Sequence, residues 1–204
     1  MARLTHASYA EAVETLIAGD RDLARVVARH GPPKLLSRPP GFPTLVYIIF
    51  EQQVSLASAK STYDKVAALL PEFTAEAYLQ LSDEALRAAG VSRQKARYTR
   101  LVAEATIAGD LPIHALGRKP DEEVRTLLTA ITGIGNWTAD VYLMLALRRP
   151  DLWPVGDLAL VKAATAIKSR PHKPDKLWLE NLGERYRPYR SVATGIFWRH
   201  YLHS

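Results

Sequence analysis

The chain has 204 residues, enough to bury a substantial core in one domain or in two small ones. It contains no cysteine, which excludes disulfides, a thiolate nucleophile, cysteine-ligated zinc and cysteine-ligated iron–sulfur clusters. Its formal net charge of +6 favours a polyanionic partner such as nucleic acid. The longest apolar run, residues 45–50, is too short to span a bilayer, and the first residues resemble no signal or transit peptide. We therefore expect an intracellular protein, in the cytoplasm or nucleoid of a prokaryote or the nucleus of a eukaryote.

Helical periodicity runs along almost the whole chain. A first helix is predicted to end at Gly19, and its apolar face to consist of Ala10, Val13, Leu16 and Ile17. A long apolar helix follows the proline-rich loop of residues 37–43 and reaches Phe50. Later helices are predicted at about 92–108, 121–130, 136–148, 157–168, 175–185 and 189–202. Because no segment alternates with a period of two, we predict an all-α protein of about ten helices.

The stretch LLTAITGIGNWTADVYLMLAL, residues 127–147, places two glycines in a tight turn between two helical runs. Gly133 and Gly135 lack a Cβ and can adopt backbone angles that are closed to other residues. The helix that follows directs the amides of its first turn and its positive dipole end toward this turn, which suits a phosphate group. A ligand-free turn between two helices is the alternative that these residues leave open.

A single aspartate stands out further along the chain, in WPVGDLALVKA at residues 153–163. Asp157 follows a proline and a glycine and precedes a helical run, which is the typical position of an N-cap. A carboxylate at a helix N-terminus, at the mouth of a cleft, can also face a developing positive charge. The two interpretations are compatible.

Four ordered stretches together resemble the helix-hairpin-helix DNA glycosylase superfamily, and within it the alkylbase branch of the 3-methyladenine DNA glycosylase II type. They are the hairpin with the Asp157 segment, LVYIIFEQQVSLASA at residues 45–59, GVSRQKARYTRLVAEA at 90–105 and ERYRPYRSVATGIFWRHY at 184–201. The resemblance spans residues 30–203 and implies one glycosylase domain with two helical lobes and a DNA-lesion cleft between them. The implied lobes are approximately residues 35–148, with the hairpin at 127–147, and residues 1–34 plus 149–204.

The resemblance implies a catalytic role for Asp157. Its carboxylate would stabilise an oxocarbenium-like sugar while the N-glycosidic bond breaks, and would assist the attack of water. In strand-cleaving relatives, the residue two past the second glycine is a lysine whose amine attacks the sugar. In this chain it is Trp137, which cannot form a Schiff base. The resemblance therefore implies a monofunctional enzyme without AP-lyase activity.

The implied base pocket consists of Trp137, Val141, Leu158 and Tyr189. The indole of Trp137 would attract a cationic alkylated base, although a core tryptophan that seals two helices is the alternative. Val141 and Leu158 stand where a well-known bacterial member carries tyrosines, so this pocket would be less aromatic. Gln53 occupies the position of the wedge that fills the gap left by a flipped base, with a helix-capping amide as its alternative role.

The resemblance also implies contacts with the DNA backbone at the hairpin. Gly133, Gly135 and the amide of Thr138 would bind phosphate. No cofactor is expected for catalysis, but the resemblance implies a structural monovalent cation held by backbone carbonyls of the hairpin, here those of Thr129, Ile131 and Ile134.

The expected partner is double-stranded DNA that contains an alkylated base of the 3-methyladenine or 7-methylguanine type, and the expected state is a monomer. Arg93, Lys95 and Arg97 are interpreted as solvated charges on one helix, which usually serve solubility, and counterion release by them would add DNA affinity. Two alternatives remain open. One is a non-catalytic helix-hairpin-helix module that binds DNA or lesions, and the other is a glycosylase for another base, such as a mismatched base, uracil or hypoxanthine.

Overall fold

The computed structural model describes residues 3–169, 172 and 174–204. Over these residues it contains twelve α-helices and one short 3-10 helix, and no strand, so the all-α prediction is confirmed. The helices are α1 His6–Gly19, α2 Arg21–His30, α3 Phe42–Glu51, α4 Leu56–Ala67, α5 Ala75–Leu79, α6 Asp83–Ala88, α7 Arg93–Ala108, α8 Asp121–Thr129, α9 Asn136–Leu145, α10 Leu158–Ile167, α11 Lys176–Glu184 and α12 Arg190–His203. None of the described helices is long and apolar enough to cross a membrane.

The helix boundaries follow local capping signals. Ser92 accepts a hydrogen bond from the Lys95 amide and caps α7, and Gly109 follows the end of α7 in the left-handed conformation. Short helices were harder to predict, because α5 has only five residues and too few turns to show a period. The predicted face of α1 is partly wrong: Ala10 is exposed, whereas Tyr9 and Ala12 are buried.

The chain divides into two compact units. The first, here called the hairpin unit, comprises residues 38–142, and the second, the aspartate unit, comprises residues 3–37 and 143–204. The boundary between Tyr142 and Leu143 falls inside α9. The lobes implied by the resemblance have their boundaries a few residues later, after residue 148 and thus past the end of α9, and slightly earlier in the loop before α3.

The core of the hairpin unit is built on α3, whose residues are apolar on nearly every face and buried. Phe42 of α3 meets an aromatic group that continues through Phe73 and Tyr78. The buried hydroxyl of Tyr78 lies 2.7 Å from that of Thr99 on α7, so its polar end has a partner inside the core. These contacts fix α7 against α3, and both helices support the hairpin.

The core of the aspartate unit joins the first two helices to the last three. Apolar side chains of α1 and α2, such as Leu16 and Leu23, are buried with residues of α10, α11 and α12. Trp153 lies in this core, and its indole donates a hydrogen bond to the Leu179 carbonyl over 2.8 Å. A Cβ on Gly183 would stand 2.5 Å from the Trp153 ring, so α11 packs directly on that ring. Trp153 thereby fixes the chain shortly before Asp157.

Candidate nucleic-acid interface and catalytic aspartate

The hairpin connects α8 to α9 through residues 130–135. The Ile134 amide donates to the Ile131 carbonyl over 3.0 Å and closes the turn. The Ala139 amide then donates to the Gly135 carbonyl over 3.1 Å, which is the first backbone bond of α9. Amides before such a bond have no acceptor within their own helix. The first turn of α9 thus directs its amides toward the side where the hairpin lies, as the sequence predicts.

The two hairpin glycines meet different requirements. Gly133 has a φ of +94°, and a Cβ at this position would stand 2.1 Å from the ring of Tyr98. Its lack of a side chain is therefore explained by packing against α7. Apart from Gly135 and its two chain neighbours, no residue has an atom within 4 Å of the Cβ position of Gly135. The backbone of Gly135 is therefore the part of the hairpin that faces open space. Phosphate binding by Gly133 and Gly135 stays a prediction.

Gln52, the residue that follows α3, supports the hairpin through its side chain. The sequence alone did not indicate this role. The amide nitrogen of Gln52 donates to the Gly133 carbonyl over 3.1 Å and to the Thr138 hydroxyl over 3.0 Å. One side chain at the end of α3 thus connects the turn to the first turn of α9. The signal was present in the paired glutamines of EQQVS, but the sequence does not show which of the two turns inward.

Gln53 is the glutamine that turns outward. It is exposed and has a φ of +58°, immediately after the end of α3. Across the described residues its side chain has no hydrogen-bond partner, so the structure offers no support for the capping alternative. The wedge role stays a prediction.

Lys95 corrects one interpretation made from the sequence. Its ammonium group donates to the Phe50 carbonyl over 2.8 Å at the C-terminal end of α3, and the residue is half-buried. Burial lowers the pKa of Lys95. Lys95 is therefore not a solvated charge: it satisfies a carbonyl that the helix end leaves without an internal donor. Arg93 and Arg97 are exposed, as expected.

Trp137 and Val141 lie four residues apart on α9 and therefore share one face of that helix. Trp137 is half-buried, and Val141 is only 3% exposed. In the aspartate unit, Leu158 is 60% exposed at the start of α10. Tyr189 is half-buried and packs against the core of that unit. Each unit thus contributes two of the four residues predicted for the base pocket.

Asp157 is the N-cap of α10, which confirms the structural interpretation of this residue. Its Oδ1 accepts a hydrogen bond from the Leu160 amide over 2.7 Å. The same oxygen accepts a second bond from the Trp198 indole over 2.9 Å, a contact between α12 and α10 that the sequence did not reveal. Asp157 is 8% exposed. Two donors on one oxygen fix the plane of the carboxylate.

The segment before Asp157 is anchored to the beginning of α12. Arg190 donates to the Asp151 carboxylate, with the Nε to Oδ1 distance at 2.7 Å. The Ser191 hydroxyl accepts a bond from the Leu152 amide over 2.9 Å. The Asp157 amide then closes a tight turn by donating to the Pro154 carbonyl over 2.8 Å. The Arg-Ser pair of the RPYRS motif therefore positions the loop that presents Asp157.

These features together define a class of protein: an all-helical chain with a glycine hairpin at a helix N-terminus and a separately anchored aspartate that caps another helix. Comparison with known proteins identifies the family. Residues 46–188 match the HhH-GPD superfamily of base excision DNA repair proteins, and the chain belongs to this family.

Solved structures and curated relatives agree with this assignment. The structure of a Schizosaccharomyces pombe 3-methyladenine DNA glycosylase in complex with abasic DNA has a TM-score of 0.86 at 27% identity, covering 92% of this chain and 95% of that one. A Bacillus halodurans DNA-3-methyladenine glycosidase is 35% identical, with a TM-score of 0.78 over 93% of this chain and 88% of that one. The Schizosaccharomyces pombe protein DNA-3-methyladenine glycosylase 1 is 27% identical over 181 residues, 87% of this chain and 79% of the relative. The resemblance drawn from the four motifs is confirmed, and the chain is a DNA glycosylase of base excision repair.

Proposed function

We propose that this chain is a monofunctional DNA glycosylase that flips alkylated bases, of the 3-methyladenine and 7-methylguanine type, out of duplex DNA and excises them. The observation that carries the proposal is the geometry of Asp157, whose Oδ1 accepts bonds from both the Leu160 amide and the Trp198 indole. Such fixed donors leave little reorganisation of the carboxylate to occur during the reaction. Similarity to proteins named for 3-methyladenine supports the substrate class.

In the proposed reaction, the bond between the sugar C1′ and the base nitrogen breaks, and its electron pair leaves with the base. The sugar develops positive charge, which the Asp157 carboxylate stabilises. Water then bonds to C1′ and gives up a proton, for which Asp157 is the acceptor. A ring-alkylated purine carries positive charge and leaves as a neutral base, so one carboxylate suffices.

Trp137 supports two parts of the proposal, the absence of strand cleavage and the preference for a cationic base. It stands at the hairpin position where strand-cleaving relatives have lysine, and an indole has no amine that could attack the sugar. The product is therefore an intact strand with an abasic site. The electron-rich face of Trp137 also attracts a cationic base, and Val141, Leu158 and Tyr189 complete the proposed pocket.

The hairpin is the proposed DNA anchor. Gly133, Gly135 and the amide of Thr138 bind phosphate, and Gln53 fills the space of the flipped base. The proposed cation ligands are the carbonyls of Thr129, Ile131 and Ile134. The Ile131 carbonyl already accepts a bond from the Ile134 amide, but a carbonyl has a second lone pair for a cation. Such an ion would supply positive charge near the phosphate and take no part in the chemistry. The proposed enzyme acts as a monomer.

A panel of lesion-bearing duplexes tests the proposal. It includes methylated DNA and duplexes with uracil, hypoxanthine or a mismatched adenine or thymine, each assayed with and without alkali. We expect release of free methylpurine, strand breaks only after alkali, and loss of release in Asp157→Asn. Release of another base instead would support the alternative of a glycosylase for a mismatched base, uracil or hypoxanthine. Salt-sensitive binding without any release would identify a non-catalytic binding module.

A further inference from the structure

A groove rich in arginine lies on the hairpin unit between α6 and α7 and encloses about 340 Å³. This arginine groove is lined by four guanidinium-bearing residues, namely Arg87, Arg93, Arg97 and Arg100. Its remaining lining includes Val91, Ala96 and Leu101, with Asp83 and Glu104. A volume of this size lies at the lower end of the range of about 300–1,000 Å³ that small-molecule sites occupy.

Arg100 is the fixed part of the arginine groove. Its guanidinium donates to the Leu81 carbonyl over 2.6 Å and to the Asp83 carboxylate over 3.0 Å. The other three arginines are exposed. Within the described part of the chain, none of these three forms a salt bridge, whereas Asp83 is paired with Arg100, so three unpaired guanidinium groups border one small volume. Guanidinium groups in this arrangement suit phosphate oxygens, which they bind through paired N–H donors.

The groove lies on a different face of α7 from the face that supports the hairpin. Arg93, Arg97 and Arg100 follow one another at spacings of four and three residues, which places them in one stripe along the helix. Lys95 and Tyr98 project elsewhere, toward the Phe50 carbonyl and Gly133. The arginine stripe therefore shares no residue with the proposed DNA anchor.

We propose that the arginine groove binds a compact phosphate monoester of mononucleotide size. The small volume favours this ligand over a duplex backbone, whose successive phosphates extend over a longer distance than one compact groove. Apolar side chains between the arginines give the organic part of the ligand a surface to contact. This inference does not depend on the proposed reaction, because it concerns binding alone.

Calorimetric titration with AMP, and with inorganic phosphate as a second probe, tests the inference. We expect one AMP to bind per chain. The dissociation constant should be at least tenfold larger in the double variant Arg93→Gln/Arg97→Gln, because charge-assisted hydrogen bonds are lost. The control Arg21→Gln/Arg29→Gln removes the same net charge from exposed positions on α2 and should bind AMP as the parent does. Thermal melts of both variants verify folding.

Three results would overturn the inference. The parent could bind neither probe, or the control could lose as much AMP affinity as the groove variant, which would indicate general charge attraction. The third concerns undamaged duplex DNA, whose affinity is measured at several salt concentrations. If the groove variant lowers the salt dependence more than the control does, the groove binds duplex phosphates and not a free monoester.

Discussion

At the residue scale, Gly133 and Gly135 can be separated by experiment. An alanine at Gly133 would combine a φ of +94° with a Cβ that stands 2.1 Å from the first ring carbon of Tyr98. We expect Gly133→Ala to lower the free energy of unfolding by about 2 kcal/mol or more, because strain and overpacking add. Gly135→Ala should change it by less than about 0.5 kcal/mol, because its Cβ meets open space. Urea denaturation measures both.

The same pair tests the proposed phosphate contact. If a phosphate approaches the bare backbone at Gly135, the new methyl group of Gly135→Ala stands in its path. Duplex affinity by fluorescence anisotropy should then fall while stability does not. Unchanged affinity in a folded Gly135→Ala protein would remove Gly135 from the proposed anchor.

Trp198 provides a second prediction at this scale. Trp198→Phe keeps an aromatic ring on α12 but removes the indole N–H that donates to Asp157 Oδ1. The Leu160 amide still holds that oxygen, so the helix cap survives. We expect kcat for base release to fall by about tenfold or more while KM for the duplex changes little, because the loss affects the orientation of one reacting group. Single-turnover kinetics measure this, and an equal change in KM would indicate a general disturbance of binding.

At the scale of elements, the hairpin depends on a side chain that lies outside it. Gln52 donates to both Gly133 and Thr138, and its loss leaves two acceptors without that donor. Gln52→Ala should lower the free energy of unfolding by about 1–2 kcal/mol and weaken duplex binding, although the half-buried Gln52 is not itself a proposed DNA contact. Gln53→Ala is the matched control: its exposed side chain contributes little stability, whereas base excision should slow. If both variants change stability and base excision alike, the assignment of Gln52 as the support of the hairpin and Gln53 as the wedge is wrong.

The elements themselves were largely predictable, whereas the contacts between them were not. Serine caps, glycine stops and a period of 3.6 residues act locally, so α7, α9 and α12 begin where the sequence predicts. Lys95 was misinterpreted because its partner, the Phe50 carbonyl, is 45 residues away in sequence. Trp198 and Asp157 are likewise 41 residues apart. No periodicity reports a contact at such a separation.

At the scale of the whole molecule, the aspartate unit is assembled from both ends of the chain. The family match begins at residue 46, but α1 and α2 supply Leu16, Leu23 and other side chains to the core that contains Trp153. The lobes implied by the resemblance already group residues 1–34 with residues 149–204, although none of the four motifs lies in residues 1–34. Their packing with α12 means that the loop before Asp157 rests on a core to which both chain ends contribute.

One buried ionic network connects the first two helices to the C-terminal part of the chain. Lys168, at the C-terminal end of α10, donates to both oxygens of Asp20 and to Asp22, and the Tyr186 hydroxyl also donates to Asp20. Burial opposes the ionised form of Asp20, but the hydrogen bonds from Lys168 and Tyr186 and the charge of Lys168 outweigh it and lower its pKa. The pKa of Asp22 is also lowered, chiefly by its bond from Lys168.

The lowered pKa values of Asp20 and Asp22 predict that the stability of the fold decreases as the pH falls. A carboxyl whose pKa is lower in the folded state stabilises the fold above its unfolded pKa of about 4, and this contribution disappears as the pH falls through the folded pKa. Lys168→Met should therefore cost about 3 kcal/mol at pH 7, because it leaves the buried Asp20 charge without its partner. The cost should shrink well below pH 4, where Asp20 becomes protonated in both proteins.

Tryptophan fluorescence during urea denaturation measures this cost at pH 7 and at pH 3, since Trp153, Trp178 and Trp198 all belong to the aspartate unit. Lys60→Met is the control, because its pair with Asp64 is exposed to solvent and should contribute little to stability at either pH. A cost for Lys168→Met that is the same at both pH values would mean that packing of the lysine stem, and not its charge, joins α10 to the first helices. A cost that disappears with acid would instead show that the two ends of the chain are joined electrostatically.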